Sequence, residues 1–212
     1  MKKRLALVVL ILAPVWACKP AARPAEVAER GPNATAVEVT RILGAGTAGE
    51  LRPYCAGRMA EVVDEILRML EDRRRFCDAL LPTLEVAAER ERVQRLRDLS
   101  GRKLIWSAPG IELEGLVDKS EDRGRYRVAA ITADGHRSPR VMILERAAEG
   151  WRLVGFDEGP GLQAVINIRN QANQIHYLVD GLVREFGQQA PRRLDERSVQ
   201  FLGALERLVG ER

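Results

Sequence analysis

Apolar positions along this chain change their period twice, and each change marks a boundary between structural layers. Met59, Val63, Ile66 and Leu70 step by four, three and four residues, the spacing that gathers side chains on one face of a helix. Cys77, Leu80 and Leu84 continue the stripe beyond the charged run "EDRRR" at 71–75, and Pro82 ends or kinks it. These positions predict a helix over 57–80. A second helix is predicted over 83–99. Val86, Val93, Leu96 and Leu99 form its buried side, while Glu85, Glu89, Glu91, Arg92 and Arg95 face water until Gly101 stops it. Upstream, 35–49 fits either a short helix capped by Gly44 or a strand.

Beyond residue 110 the period shortens to two. Residues 111–118, 125–134, 139–147 and 151–157 read as four short strands with turn signals between them. Asp134-Gly135 is a favoured hairpin pair. An even-numbered loop there puts Tyr126, Val128, Ala130, Val141 and Ile143 on a core face. Arg125, Arg127, Ile131, Met142 and Leu144 then fall on the other face.

After the turn at 157–161 the helical period returns. Val165, Ile168, Ala172, Ile175, Val179, Leu182 and Phe186 alternate steps of three and four, a heptad seam free of charge. A last helix over 193–209 carries Leu194, Phe201, Leu205 and Leu208, joined across Gly187 and Pro191. The expected fold is therefore α+β: N-terminal helices, a four-stranded antiparallel meander and a C-terminal helical hairpin. The expected division is an α+β domain over 35–160 and the hairpin over 161–212. Two uses of the seam stay open. It packs inside its own chain, or Val165, Ile168, Ile175, Val179, Leu182 and Phe186 form an interface with a protein partner or a second copy.

The first residues carry a different signal. Lys2, Lys3 and Arg4 precede the apolar run at 5–17, too short to cross about 30 Å of hydrocarbon and typical of a secretory leader. Val15-Trp16-Ala17-Cys18 resembles the lipobox of bacterial lipoproteins, with Trp16 bulkier than that motif usually shows. The resemblance implies a signal peptide over 1–17, cleavage before Cys18, a diacylglycerol on its thiol and membrane attachment through the N-terminal lipid. Two acyl chains hold a protein on a bilayer where one does not. Residues 18–34, rich in Ala and Pro, then read as the lipidated cysteine and a flexible tether. Lys19, where Asp favours inner-membrane retention in Gram-negative lipoproteins, implies the periplasmic face of the outer membrane.

Removing Lys2, Lys3 and Arg4 with the leader from 34 basic residues leaves 31 against 30 acidic ones. This near balance gives no basic stripe for nucleic acid. Cys55 and Cys77 remain, an even pair in an oxidising compartment, which invites a disulfide. A straight helix over 57–80 opposes it, holding the two about 30 Å apart against a limit near 7 Å.

Helices leading into a four-strand meander that closes on "EGWRLVGFD" (149–157) resemble the nuclear-transport-factor-two-like superfamily. Gly150, Trp151, Leu153 and Val154 carry the motif of its final strand. The resemblance covers 55–157 and leaves the C-terminal helices outside. It implies a bent sheet wrapped on helices with a cavity between them. Some members bind small molecules there or catalyse with an acid or histidine, and many only mediate contacts.

The residues carry no catalytic pattern of their own. His136 falls in a hairpin turn and His176 beside the seam, and no spacing suggests a metal or other cofactor. Glu112 and Glu114 share a strand face and are expected to meet Arg125 and Arg127 across the hairpin, while Asp157 and Glu158 precede a plain turn. Trp106, Tyr126, Trp151 and Phe156 fall in or near the sheet, as pocket lining if a pocket exists and as core otherwise. The expected function is a non-catalytic binding or assembly module at the cell envelope. The alternative is a carrier or sensor of a small apolar ligand in a sheet–helix cavity. A small hydrolase or isomerase lacks a recognisable constellation.

Overall fold

The computed structural model describes residues 30–99, 101–106, 108–157 and 159–209. The expected leader over 1–17, Cys18, and the tether up to residue 29 lie outside the described residues.

Helix α1 spans Pro32–Ala45, with proline in the first turn, where its missing N–H costs nothing. This helix thus begins inside the stretch expected as tether, and it outruns Gly44. Gly46 ends it, donating its N–H to the Ile42 carbonyl at 2.6 Å. Thr47 and Glu50 then form a reciprocal capping box that starts the short α2, Ala48–Leu51. A 3₁₀ turn, Arg52–Tyr54, leads through Cys55 into α3, Gly57–Leu80. The charged run does not interrupt α3. Asp72 and Arg73 are buried within it, and Phe76 joins the core just beyond. Helix α4, Ala87–Asp98, begins later than expected because Val86 is extended. The short α5 follows at Arg102–Ile105.

Strands β1 (Gly110–Lys119), β2 (Arg123–Ile131), β3 (Arg137–Ala147) and β4 (Gly150–Phe156) form an antiparallel meander in chain order. The expected α+β class is borne out, and one register is corrected. Ile131 pairs with Arg137, so the β2–β3 loop holds five residues, an odd number, and Tyr126 faces Met142 instead of Val141. Gly135, in the left-handed region at φ 81°, supplies the extra residue of this longer turn. Strand side chains alternate with period two, so the shift exchanges faces. Met142 and Leu144 are fully buried, while Val141 and Ile143 lie half-buried on the outer face. Charge pairing on β1 is also corrected. Bulges after Leu113 and Leu116 move β1 relative to β2, so Glu112 and Glu114 both reach Arg137, at 2.8 and 3.2 Å. Arg125 pairs with Asp118 at 2.9 Å.

Helix α6 (Leu162–Gln188) runs parallel to α3, and α7 (Glu196–Val209) closes the chain. A ladder of polar contacts records the alignment. Arg169 meets Glu61 at 2.9 Å, Arg68 meets Asn173 at 2.8 Å, and His176 lies 3.0 Å from Asp72. Arg75 reaches Asp180 at 2.8 Å. Under this ladder Val165, Ala172, Ile175, Val179, Leu182 and Phe186 are buried, and Ile168 packs half-buried against the same core. The seam is interior, which favours the first of its two open uses, packing within its own chain. Their apolar area is spent on α3, so it is not available to a partner.

Phe76 knits the helices together. Its ring lies 6.0 Å from that of Phe186 and 4.9 Å, edge-on, from that of Phe201. Helix α7 is also tied to α4, whose polar side is not wholly in water. Arg92 donates to Glu206 at 2.7 and 2.8 Å, and Glu89 accepts from the Leu194 N–H at 3.0 Å. One apolar cluster extends from α1 to α7, so the residues on either side of position 160 share a core. Among the described residues no helix is long and apolar enough to cross a membrane.

A candidate binding cleft between sheet and helices

Where β4 leaves the sheet, the chain turns back on itself before entering α6. Phe156 donates its N–H to the Gly159 carbonyl at 2.6 Å, and Gly159 returns a bond to the Phe156 carbonyl at 3.1 Å. Gly155 makes this approach possible, because a Cβ there would stand 2.6 Å from the Gly159 oxygen. Asp157 then closes the edge, exchanging backbone and side-chain bonds with Val141 at 2.9 and 3.1 Å. Glu158 lies outside the described residues.

This turn forms one wall of an open cleft of about 270 Å³. Phe156, Gly159 and Pro160, Met59 and Val62 of α3, and Ile105 and Trp106 line it. Trp106 and Phe156 stack at 5.2 Å between centroids, tilted by 40°, within the range where aromatic pairs attract. The Trp106 Nε1–H points to the Gly110 carbonyl at 3.4 Å, leaving most of the indole as apolar surface. Arg140 of β3 is the one charged side chain among the described lining residues. An apolar concavity with a single placed polar group is the usual form of a small-molecule site, slightly below the common range of roughly 300–1,000 Å³.

Of the four aromatic residues singled out from the sequence, the fold brings Trp106 and Phe156 into the cleft. It keeps the other two elsewhere. Tyr126 is buried and donates its hydroxyl to Asn33 at 2.7 Å, tying β2 to α1. Desolvation raises its phenol pKa. Trp151 is buried at the start of β4, paired with Arg146 on β3. Sequence reasoning missed Val62, Ile105, Arg140 and Pro160. Val62 lies off the main apolar stripe, and Arg140 acquires its inward position only from the five-residue loop.

Other chemically capable groups have structural partners. Cys55 and Cys77 are free and buried, at opposite ends of α3, so the disulfide that the even pair left open is not formed. The intact helix between them keeps them too far apart for a bond. Burial pushes both thiols up to about 12, far from the reactive thiolate. His176 sits between Asp72 and Asp180, at 3.0 and 3.6 Å. Arg75 bridges the same two carboxylates at 2.9 and 2.8 Å, so the group forms a polar clasp between α3 and α6. Arg75's hydrogen bond holds the Asp180 carboxyl below its ordinary range. His136 remains in the exposed hairpin loop, where its carbonyl accepts from Thr132 at 2.9 Å. No group of three or more His, Cys, Asp or Glu side chains among the described residues could hold a metal ion.

No known protein family matches the chain, and no curated protein matches it. Among solved structures it is similar to the phospholipid-binding protein from Ralstonia solanacearum in complex with a phospholipid. The identity is 16% over 80% of this chain and 95% of that one, with a TM-score of 0.25. A likeness this distant carries no inference about ligand, so the cleft is read from its own residues.

Proposed function

We propose that this chain is a non-catalytic binding protein for a small apolar ligand, held in the cleft between sheet and helices and displayed at the cell envelope by a lipid on Cys18. The observation that carries the reading is the open apolar wall of Met59, Val62, Ile105, Trp106, Phe156 and Pro160. A solvent-facing concavity of such residues gains free energy when an apolar ligand displaces its water. The cleft accommodates about nine water-sized groups at roughly 30 Å³ each, the bulk of one short alkyl chain or a ring system. Burial of the seam against α3 removes the strongest argument for an assembly module working through α6.

Trp106 provides the test. Replacing Trp151→Phe in residues 19–212 leaves it as the one indole, and decanol serves as the probe. About six buried methylenes at ~0.8 kcal/mol each give close to 5 kcal/mol, a Kd of roughly 0.2 mM. The expected result is a saturable change in Trp106 emission in that range, lost in Val62→Glu. Emission unmoved up to the solubility limit of decanol, or a response that persists in Val62→Glu, overturns the reading.

A further inference from the structure

We infer that the edge of the molecule formed by α1 and β1 rests on the surface of the bilayer that anchors the chain. This inference rests on the lipid at Cys18 in the reading above and names the face that the anchor turns to the membrane. Tyr126 of β2 donates to Asn33 in the first turn of α1 and pairs with Leu116 on β1. Toward the other end of α1, Gly44 lies beside the start of β1, where an added Cβ would stand 3.5 Å from the Ile111 side chain. Helix and strand therefore run antiparallel along this edge of the sheet. Positions 33, 37 and 44 fall within about 40° of one another around a helix, so Val37 lies on the side of α1 turned to β1. Val37 is 59% exposed, and Leu116 and Val117 near the same end of the edge are 52% and 39% exposed. None of the three belongs to the apolar core of the described residues.

A bilayer is assigned to this strip by where the anchor joins the molecule. Residues 18–29 lie between Cys18 and Arg30 and span at most about 40 Å. Arg30 reaches Glu38 at 3.8 Å, which sets the entry of the chain beside Val37. A lipid at Cys18 thus draws this end of the molecule to the membrane, at the high local concentration that a short link imposes. Charge neither drives nor opposes the contact. Glu38 is paired with Arg30 and Arg41, and Asp118 with Arg125. The β1–β2 turn beyond them sets Lys119 and Arg123 against Glu121 and Asp122. The gain comes from burying three aliphatic side chains at the headgroup–acyl boundary, so a zwitterionic surface suffices. The α6 surface at Tyr177 lies on the far side of the molecule. β1 is one edge of the sheet, while α3 packs against β4 at the other edge with α6 beyond it.

The full chain carrying Val117→Cys tests this. Lipidation occupies the Cys18 thiol, and Cys55 and Cys77 are buried, so a polarity-sensitive maleimide dye attaches at position 117 alone. Intact mass of the protein purified from membranes reports the diacylglycerol. The labelled protein is placed in phosphatidylcholine–phosphatidylethanolamine vesicles with and without spin-labelled lipid. The same chain labelled through Tyr177→Cys, and soluble residues 19–212 labelled at 117, serve as references. The expected result is bluer emission at 117 than in the soluble chain, and quenching there by the spin-labelled lipid, both unchanged in high salt. The label at 177 shows neither. Adding Val37→Ser and Leu116→Ser lowers the docked-to-free ratio about tenfold, with lipidation intact. Equal quenching at 117 and 177, or soluble-like emission at 117 on a lipidated chain, overturns the docking alone. Bluer emission already present in soluble residues 19–212 shows the strip covered by its own chain and overturns the docking too. An intact mass without the diacylglycerol overturns the Cys18 reading and this inference with it.

Discussion

Phe76 is the position whose loss should cost this fold most, and the cost can be worked from its surroundings. The side chain is 0% exposed on the last turns of α3 and faces α6 and α7 through Phe186 and Phe201. Truncation of a buried phenylalanine to alanine costs about 3–5 kcal/mol, as transfer plus the cavity left behind. The upper half of that range applies here, because three helices meet at the ring and none can collapse into the space without leaving another contact. For a chain of this size about 1 kcal/mol moves the midpoint by roughly 2–4 °C, so Phe76→Ala should melt about 8–20 °C lower. Urea unfolding of residues 19–212 measures the free energy directly, with Tyr177→Ala as control. Tyr177 is 75% exposed and should change stability by about 0.5 kcal/mol or less. A double-mutant cycle of Phe76→Ala with Phe201→Ala should show coupling of about 0.5–1.5 kcal/mol from the edge-on ring pair. The seam is intrachain, so the midpoint should also be independent of protein concentration. A Phe76→Ala cost below about 1.5 kcal/mol, or a midpoint that rises with concentration, would refute the three-helix junction described here.

Two further outcomes follow from the charge and thiol environments. With both thiols pushed up to about 12 by burial, Cys55 and Cys77 of residues 19–212 should resist dithionitrobenzoate at pH 8. Both should react within seconds once guanidinium unfolds the chain. Rapid native reaction contradicts the burial, and two thiols still silent after unfolding without reductant would reveal a disulfide. Stability should also fall in acid. Arg92 holds the Glu206 carboxyl below its ordinary range, chiefly by hydrogen bonding, and Arg75 does the same for Asp180. A depressed carboxyl contributes stability that is complete above its unfolded pKa, about 3.9–4.3 for Asp and Glu, and is lost as pH falls through the lower folded value. The urea midpoint should hold between pH 7 and 5, drop below about pH 4, and drop less steeply in Arg92→Met. An equal slope in wild type and Arg92→Met removes Glu206 from the account.

The elements of this fold were legible because their signals are local. The apolar stripe from Met59 to Leu80, the heptads from Val165 to Phe186 and the alternation in the sheet each reflect the period of one backbone conformation. That period does not depend on what the element touches. Partnership does depend on it. Nothing in the seam says that α6 lies parallel to α3, because that match joins residues more than a hundred positions apart and comes from packing the whole meander between them. Asp72 reads as part of a solvated charged run until His176 and Arg75 close around it. The faces of β3 turned on one residue of loop length, which Asp134-Gly135 leaves open, and that residue decided whether Arg140 faces water or the cleft. Trp106 and Phe156 share a sequence class with Tyr126 and Trp151. They became a wall only because the turn at Gly159 folds back beside the first turns of α3, while Asn33 captures Tyr126 and the core closes over Trp151. Periodicity thus determined which segments are helix and strand, since backbone geometry acts within a few residues. Tertiary structure alone decided which faces are spent on the core and which line the open cleft, since burial is set by the surfaces that distant segments bring together.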